Sequence, residues 1–205
     1  MNSYFLSPNC FIYNVSDKLS LDDNLKILTI CRDIFVDKTF LTQNSIYDLV
    51  PTYNSIAFHF SRCDVDNIGS IILNRISKVD FDKPSDSTTH HIDVHYNGED
   101  LAKVASQTCM TIEQVIQKHI QNTYHIAMLG FKPYFPYLLG MDEVLKVPRL
   151  DKPRNRVSKG SIGIGGMQTA IFTTDTPSGW NMIGKTDFDD FSKFTAGDKI
   201  IFRSV

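Results

Sequence analysis

At 205 residues, with 42% hydrophobic and 21% charged side chains, the chain has ordinary globular composition and room for one large domain or two small ones. A net charge of -2 excludes the global positive field that collects nucleic-acid phosphates, so no nucleic-acid partner is expected. No apolar run approaches the roughly 18 residues of a membrane span, and Cys10, Cys31, Cys63 and Cys109 lack C-x-x-C or zinc spacing, so without a signal peptide they read as reduced thiols of a cytoplasmic protein.

In chain order, CFIYNV (residues 10–15) predicts a first strand. Ser20, with Asp23 three positions on, predicts the start of a helix over LDDNLKILTICRDIF, its apolar face formed by Leu21, Leu25, Leu28, Cys31 and Phe35 and widened by Ile27, Ile30 and Ile34. A strand from Ser45 to Pro51 and its antiparallel neighbour SIAFHF (residues 55–60) follow, joined by a turn at Tyr53-Asn54. Asp64 is expected to cap a second helix that buries Val65, Ile68, Ile72 and Ile76. This order is that of a ferredoxin-like half, which closes with one more strand. DKPSDSTT (residues 82–89) has no large apolar side chain and marks a boundary, giving an α/β N-terminal domain over residues 1–83 and a second domain over 84–205. Beyond it come a strand at HHIDVHY, a short helix from Asp100 to Ser106, and a helix capped by Thr111, whose stripe Ile112, Val115, Ile116 and His119 makes His119 a buried residue. From Tyr124 onward short strands (YHIAML, GSIGIG, MQTAIFTT, WNMIG and KIIFRSV) alternate with glycine and proline turns, the pattern of a barrel or sandwich, so the fold class is α+β.

Chemistry concentrates between Gly130 and Thr186. The run GSIGIGGM is neither a P-loop nor a dinucleotide fingerprint. It reads as a glycine-kinked barrel strand, or else as a backbone whose free N–H groups face an anion. Six bases precede it: Lys146, Arg149, Lys152, Arg154, Arg156 and Lys159. Arg154 and Arg156 alternate, a fork suited to a carboxylate or phosphate, while the lysines read as solvated. His119 is either a satisfied core histidine or an acid–base group. His91, Asp93 and His95 share one strand face, a polar row whose donor types suit a divalent metal but lack an evident third ligand, and no metal is assigned. No nucleophile signature occurs, so an enzyme built on this chain is expected to take part of its active site from elsewhere.

The segments LVPTYNSIAFHF, LGFKPYFPYL, PRLDKPRNRVSKGSIGIGGMQTAIF, TPSGWNMIGKT and AGDKIIFR closely resemble, in order and spacing, the KipI-type family, which includes the B component of bacterial 5-oxoprolinase and is often labelled allophanate hydrolase subunit 1; the same region resembles a carboxyltransferase subdomain of urea carboxylase. The resemblance implies a small α/β domain followed by a cyclophilin-like barrel. It implies a non-autonomous component that works with A-like and C-like 5-oxoprolinase proteins to cleave a small lactam or amide, 5-oxo-L-proline, to L-glutamate with consumption of ATP by the complex. No cofactor is assigned to this chain. The alternatives it carries are a regulator of a histidine kinase and a carboxyltransferase fragment acting on urea or a related amide. By the same resemblance His119, Arg154 and Arg156 are catalytic candidates, and Phe131, Pro133, Phe135, Gly165, Gly166, Gln168 and Trp180 substrate-binding candidates. Family members carry glycine at the position of Tyr134, so the loop is expected to be conformed differently here or its cavity partly filled.

Overall fold

A computed structural model describes residues 2–61, 65–82 and 87–205. The expected cap Asp64 and the thiol Cys63 lie outside the described residues. The chain divides into two compact units, Met1–Asp86 and Ser87–Val205.

The first unit contains β1 (Asn2–Ser7), β2 (Cys10–Asn14), α1 (Leu21–Val36), α2 (Lys38–Gln43), β3 (Ile46–Pro51), β4 (Ser55–Phe60) and α3 (Val65–Ile76). Its sheet has the order β1-β2-β4-β3 and is antiparallel throughout. The expected strand after the second helix is not what fills the fourth place among the described residues; β1, which precedes the expected first strand, does. One face of the sheet buries Phe11, Tyr13, Ile56, Phe58 and Phe60 with Ile27, Ile30 and Ile34 of α1 and Ile68, Ile72 and Ile76 of α3. The Ser20 hydroxyl accepts from the Asp23 N–H and starts α1, as the sequence predicts. The buried face of α1 is rotated from the expected one: Asn24, Ile27, Leu28, Ile30 and Ile34 are inside, whereas Leu25 and Phe35 are exposed. Asn24 explains the shift, because its Nδ2 donates to the carbonyls of Thr52 and Tyr53 (3.1 Å each) and so ties the helix to the β3–β4 turn.

The second unit contains β5 (Thr89–Val94), α4 (Leu101–Gln107), α5 (Ile112–Ile120), β6 (Thr123–Leu129), β7 (Pro136–Leu139), β8 (Arg154–Val157), β9 (Ser161–Gly165), β10 (Gln168–Ile171), β11 (Thr176–Ser178), β12 (Asn181–Lys185) and β13 (Lys199–Ser204). Seven of the strands form one sheet in the order β12-β9-β10-β7-β6-β13-β5, antiparallel except for β13 beside β5. The sheet curls until its ends nearly meet. His95, just past β5, and Lys185 of β12 exchange two backbone hydrogen bonds of 2.8 and 2.9 Å. Inside this barrel-like sheet lie Ile92, Val94, Ile126, Leu138, Ile162, Ile164, Ile171, Ile183 and Phe202, joined by Leu101 and Val104 of α4 and Val115 of α5. α5 begins at a full capping box, in which the Thr111 hydroxyl accepts from Gln114 N–H while the Gln114 side chain accepts from Thr111 N–H. No described helix is long and apolar enough to cross a membrane.

Candidate functional site

β9 reads Ser-Ile-Gly-Ile-Gly, and side chains on a strand alternate between faces. Ile162 and Ile164 point into the barrel core. The glycines face the other way, where a second apolar cluster gathers Phe135, Ala170, Phe172, Trp180 and Met182 with Tyr137 against them. A Cβ on Gly165 would lie 2.8–2.9 Å from three atoms of the Trp180 indole, and one on Gly163 would lie 2.7 Å from Met182 Cε. The glycine run therefore admits a tryptophan against the bare strand. Its turn glycine, Gly166 (φ 65°), donates its N–H to the Val147 carbonyl at 2.8 Å. The aromatic rings meet edge to face, with Phe135–Phe172 centroids 5.3 Å apart, Phe135–Tyr137 5.0 Å and Phe172–Trp180 6.4 Å.

Over this cluster opens a cavity of about 280 Å³, lined by Phe131, Phe135, Tyr137, Arg149, Pro153, Phe172, Pro177, Ser178, Gly179 and Trp180. The Arg149 guanidinium sits 5.4 Å from the centre of the Trp180 ring. Burial pushes the Tyr137 hydroxyl pKa up, while the Arg149 charge draws it down. Phe131 reaches the rim from the β6–β7 loop, where both Phe131 (φ 67°) and Tyr134 (φ 59°) hold the left-handed conformation that non-glycine residues avoid. The glycine of the resembling family at position 134 is explained by this backbone. Contrary to expectation, Tyr134 is 48% exposed and is not among the residues that line the cavity.

Of the candidates read from the sequence, the cavity brings together Phe131, Phe135 and Trp180, with Gly165 beneath the indole. The others lie elsewhere. The Pro133 carbonyl accepts from the Thr173 hydroxyl at 2.8 Å, and Gln168 opens β10 opposite Gly165. Arg154 and Arg156, expected to act as one fork, are bound to different carboxylates. Arg154 Nε meets Glu99 at 2.7 Å and Nη2 meets buried Asp100 at 2.7 Å, whereas Arg156 holds Asp175 at 2.6 Å. Those carboxylates lie 54 and 19 residues away for Asp100 and Asp175, so no local pattern reveals them. His119 is fully buried between Tyr124 and Phe202, with Tyr96 Oη 2.6 Å from Nδ1 and Thr169 Oγ1 3.0 Å from Nε2. Burial draws its pKa down to about 3, so it is a neutral core histidine away from the cavity. His91, Asp93 and His95 border a different hollow of about 440 Å³. Asp93 is bound to Arg203 at 2.6 Å and His95 Nε2 lies 3.8 Å from Asp187. Among the described residues no three His, Cys, Asp or Glu gather as metal ligands.

The residues that the sequence did not single out are Tyr137, Phe172 and the proline and serine rim, together with the special position of Arg149 among the six bases. One local signal was present: Arg149 follows Pro148, which fixes the backbone ahead of it.

The chain is 34% identical over 160 residues to the 5-oxoprolinase B component of Bacillus subtilis, matching 76% of this chain and 64% of that protein. It is 41% identical over 132 residues to the 5-oxoprolinase B component of Haemophilus influenzae, 58% of this chain and 62% of that one. It thus spans less than two thirds of the length of these relatives. The solved structure of TTHA0988 superposes on 96% of this chain and 40% of its own length, with a TM-score of 0.80 at 24% identity, a likeness of fold. Residues 1–200 match the family described as carboxyltransferase domain, subdomain C and D, and the chain belongs to that family.

Proposed function

We propose that this chain is the B-type component of an ATP-dependent 5-oxoprolinase and takes part in converting 5-oxo-L-proline to L-glutamate. The observation that carries the reading is its likeness, across most of the chain, to two proteins named as that component. The site supports it in kind. A half-open aromatic cavity with one cation suits a small polar ring, and its volume of about 280 Å³ lies just below the range of ligand cavities, roughly 300–1,000 Å³. No histidine, carboxylate, cysteine or lysine is among the cavity-lining residues, which fits a component that binds and positions while partner chains supply the rest of the chemistry. In this reading the partners are A-like and C-like 5-oxoprolinase proteins, and ATP is consumed by the assembly.

Reconstitution tests it. The chain is co-expressed with the A-like and C-like proteins of the same genome, and glutamate release from 5-oxoproline is measured with and without ATP. The expected result is activity that requires all three chains and ATP. A stable complex that releases no glutamate removes the substrate and directs attention to another amide. Failure to form any complex removes the reading altogether.

A further inference from the structure

We propose that Arg149 and Trp180 form a carboxylate subsite within this chain: the aromatic cavity takes a compact ring bearing one carboxylate, and the Arg149 guanidinium recognises that carboxylate. The inference deepens the function proposed above and rests on it for the identity of the ring.

Charge bookkeeping in the second unit is the first support. Of the four arginines of the second unit, Arg154, Arg156 and Arg203 each hold an aspartate. Among the described residues Arg149 has no such ion pair, and no acidic side chain lines the cavity. Arg149 is exposed, so water solvates its charge in the free protein, and a ligand carboxylate seated in the hollow would replace that water and supply the counter-ion. The second support is geometry. A guanidinium lying over an indole face keeps its in-plane N–H donors, which match the two oxygens of a carboxylate. The third is pre-organisation. Around Arg149 the Val147 carbonyl accepts from Gly166 N–H (2.8 Å), the Pro148 carbonyl from Asn181 Nδ2 (2.8 Å), and Leu150 N–H donates to the Gly179 carbonyl (2.6 Å). The backbone that carries the cation is fixed from three sides, so the ordering left for binding is that of the exposed Arg149 side chain. Ser178 Oγ accepts from the Trp180 N–H at 3.1 Å, which leaves its own proton to donate to a ring carbonyl.

Trp180 is the only tryptophan, so its emission reports on this cavity alone. The full chain, without ATP or partners, is titrated with 5-oxo-L-proline, with 2-pyrrolidinone (the same lactam ring without the carboxylate) and with pyrrole-2-carboxylate; fluorescence is read and calorimetry confirms stoichiometry. The expected result is saturable binding of 5-oxoproline at one site, at least ten-fold weaker binding of 2-pyrrolidinone, and a loss of ten-fold or more for 5-oxoproline in Arg149→Gln. Lys152→Gln, an exposed lysine outside the cavity, should bind as the parent does. Equal affinity for the lactams with and without carboxylate, or unchanged affinity in a folded Arg149→Gln, overturns the subsite while leaving the 5-oxoprolinase reading intact. Arg149-dependent binding of pyrrole-2-carboxylate with no preference for 5-oxoproline sustains the subsite and counts against that reading. No saturable binding of either carboxylate overturns the proposal, and the reconstituted assay then judges the function independently.

Discussion

The Gly163 carbonyl can only accept, so the hydrogen-bond chain that ends on it has a single direction. Thr169 Oγ1 donates to Gly163 O (3.1 Å), His119 Nε2–H donates to Thr169, and the Tyr96 hydroxyl donates to His119 Nδ1. Tyr96 keeps its proton because burial raises its pKa, and His119 is held neutral in the Nε2–H tautomer. The stability consequence has a definite sign. Unfolded histidine takes a proton near its ordinary 6.5 and the folded ring only near 3, so the contribution is complete above pH 6.5 and is lost as pH falls toward 3. The slope in that window is about 1.4 kcal/mol per pH unit. Melting temperatures between pH 7 and 4 should therefore fall more steeply for the parent than for His119→Gln; parallel profiles would contradict the buried-neutral assignment. His119→Ala should cost on the order of 3–5 kcal/mol in denaturant melts, through the cavity it leaves and the stranded Tyr96 and Thr169 groups. This residue was legible in part: helical spacing put His119 on the buried stripe, but only the fold reveals Tyr96 and Thr169 as its partners. Arg149 was the opposite case, one base among six until its backbone was seen pinned over an indole.

At the scale of elements, Asp100 shows how a position can serve a purpose its local pattern does not suggest. It begins α4, yet its carboxylate makes no cap bond to the helix. It accepts from the Met182 N–H of β12 at 2.7 Å and from Arg154 of β8 at 2.7 Å, while Arg154 Nη1 also reaches the Trp180 carbonyl at 3.4 Å. α4, β8 and the strand that follows the cavity tryptophan are thereby tied at one buried point. Arg154→Met should cost about 3 kcal/mol or more, because it leaves a buried carboxylate without its cation. Arg156→Met should cost about 1 kcal/mol at most, since the Arg156 side chain is 77% exposed and its pair with Asp175 is screened by solvent. Paired denaturant melts decide this, and equal losses would refute the distinction. The sequence presented the two arginines as twins because alternation along a strand is local information, and their partners are not. The same limit explains the missed strands. β7, β8 and β11 are only three or four residues long, and proline-rich segments adjoin them, so their propensity is weak while their pairing is set by distant neighbours. The rotated face of α1 has a different cause: isoleucines and leucines surround the helix, and a polar residue, Asn24, takes a core position by bonding to a turn.

For the molecule as a whole, each unit has a core of its own. The first cluster draws only on residues up to Val79, and the barrel clusters only on residues from Ile92 onward. The second unit also contains the cavity entire. Residues 87–205 expressed alone are therefore expected to melt cooperatively and to retain the Trp180 emission of the full chain. A non-cooperative transition, or emission shifted to that of exposed indole, would show that this unit depends on the first. The sequence conveyed the mixed class and the barrel strands well, since alternation and turn residues are written locally. It misplaced the source of the fourth strand in the first sheet, because β1 and β2 are separated only by the short turn at Pro8-Asn9 and nothing local announces which side of the hairpin is the edge.

The alternation of isoleucine and glycine in β9 has one more effect, on how the chain finds its alignment. A slip of a single residue against β10 or β12 would push Ile162 and Ile164 into the space occupied by Trp180 and Met182, and would leave the barrel interior lined by glycines. One layer would be overfilled and the other emptied by the same error. Misalignment here is thus penalised twice, and the strand works as a ratchet tooth that lets the sheet engage in one position only.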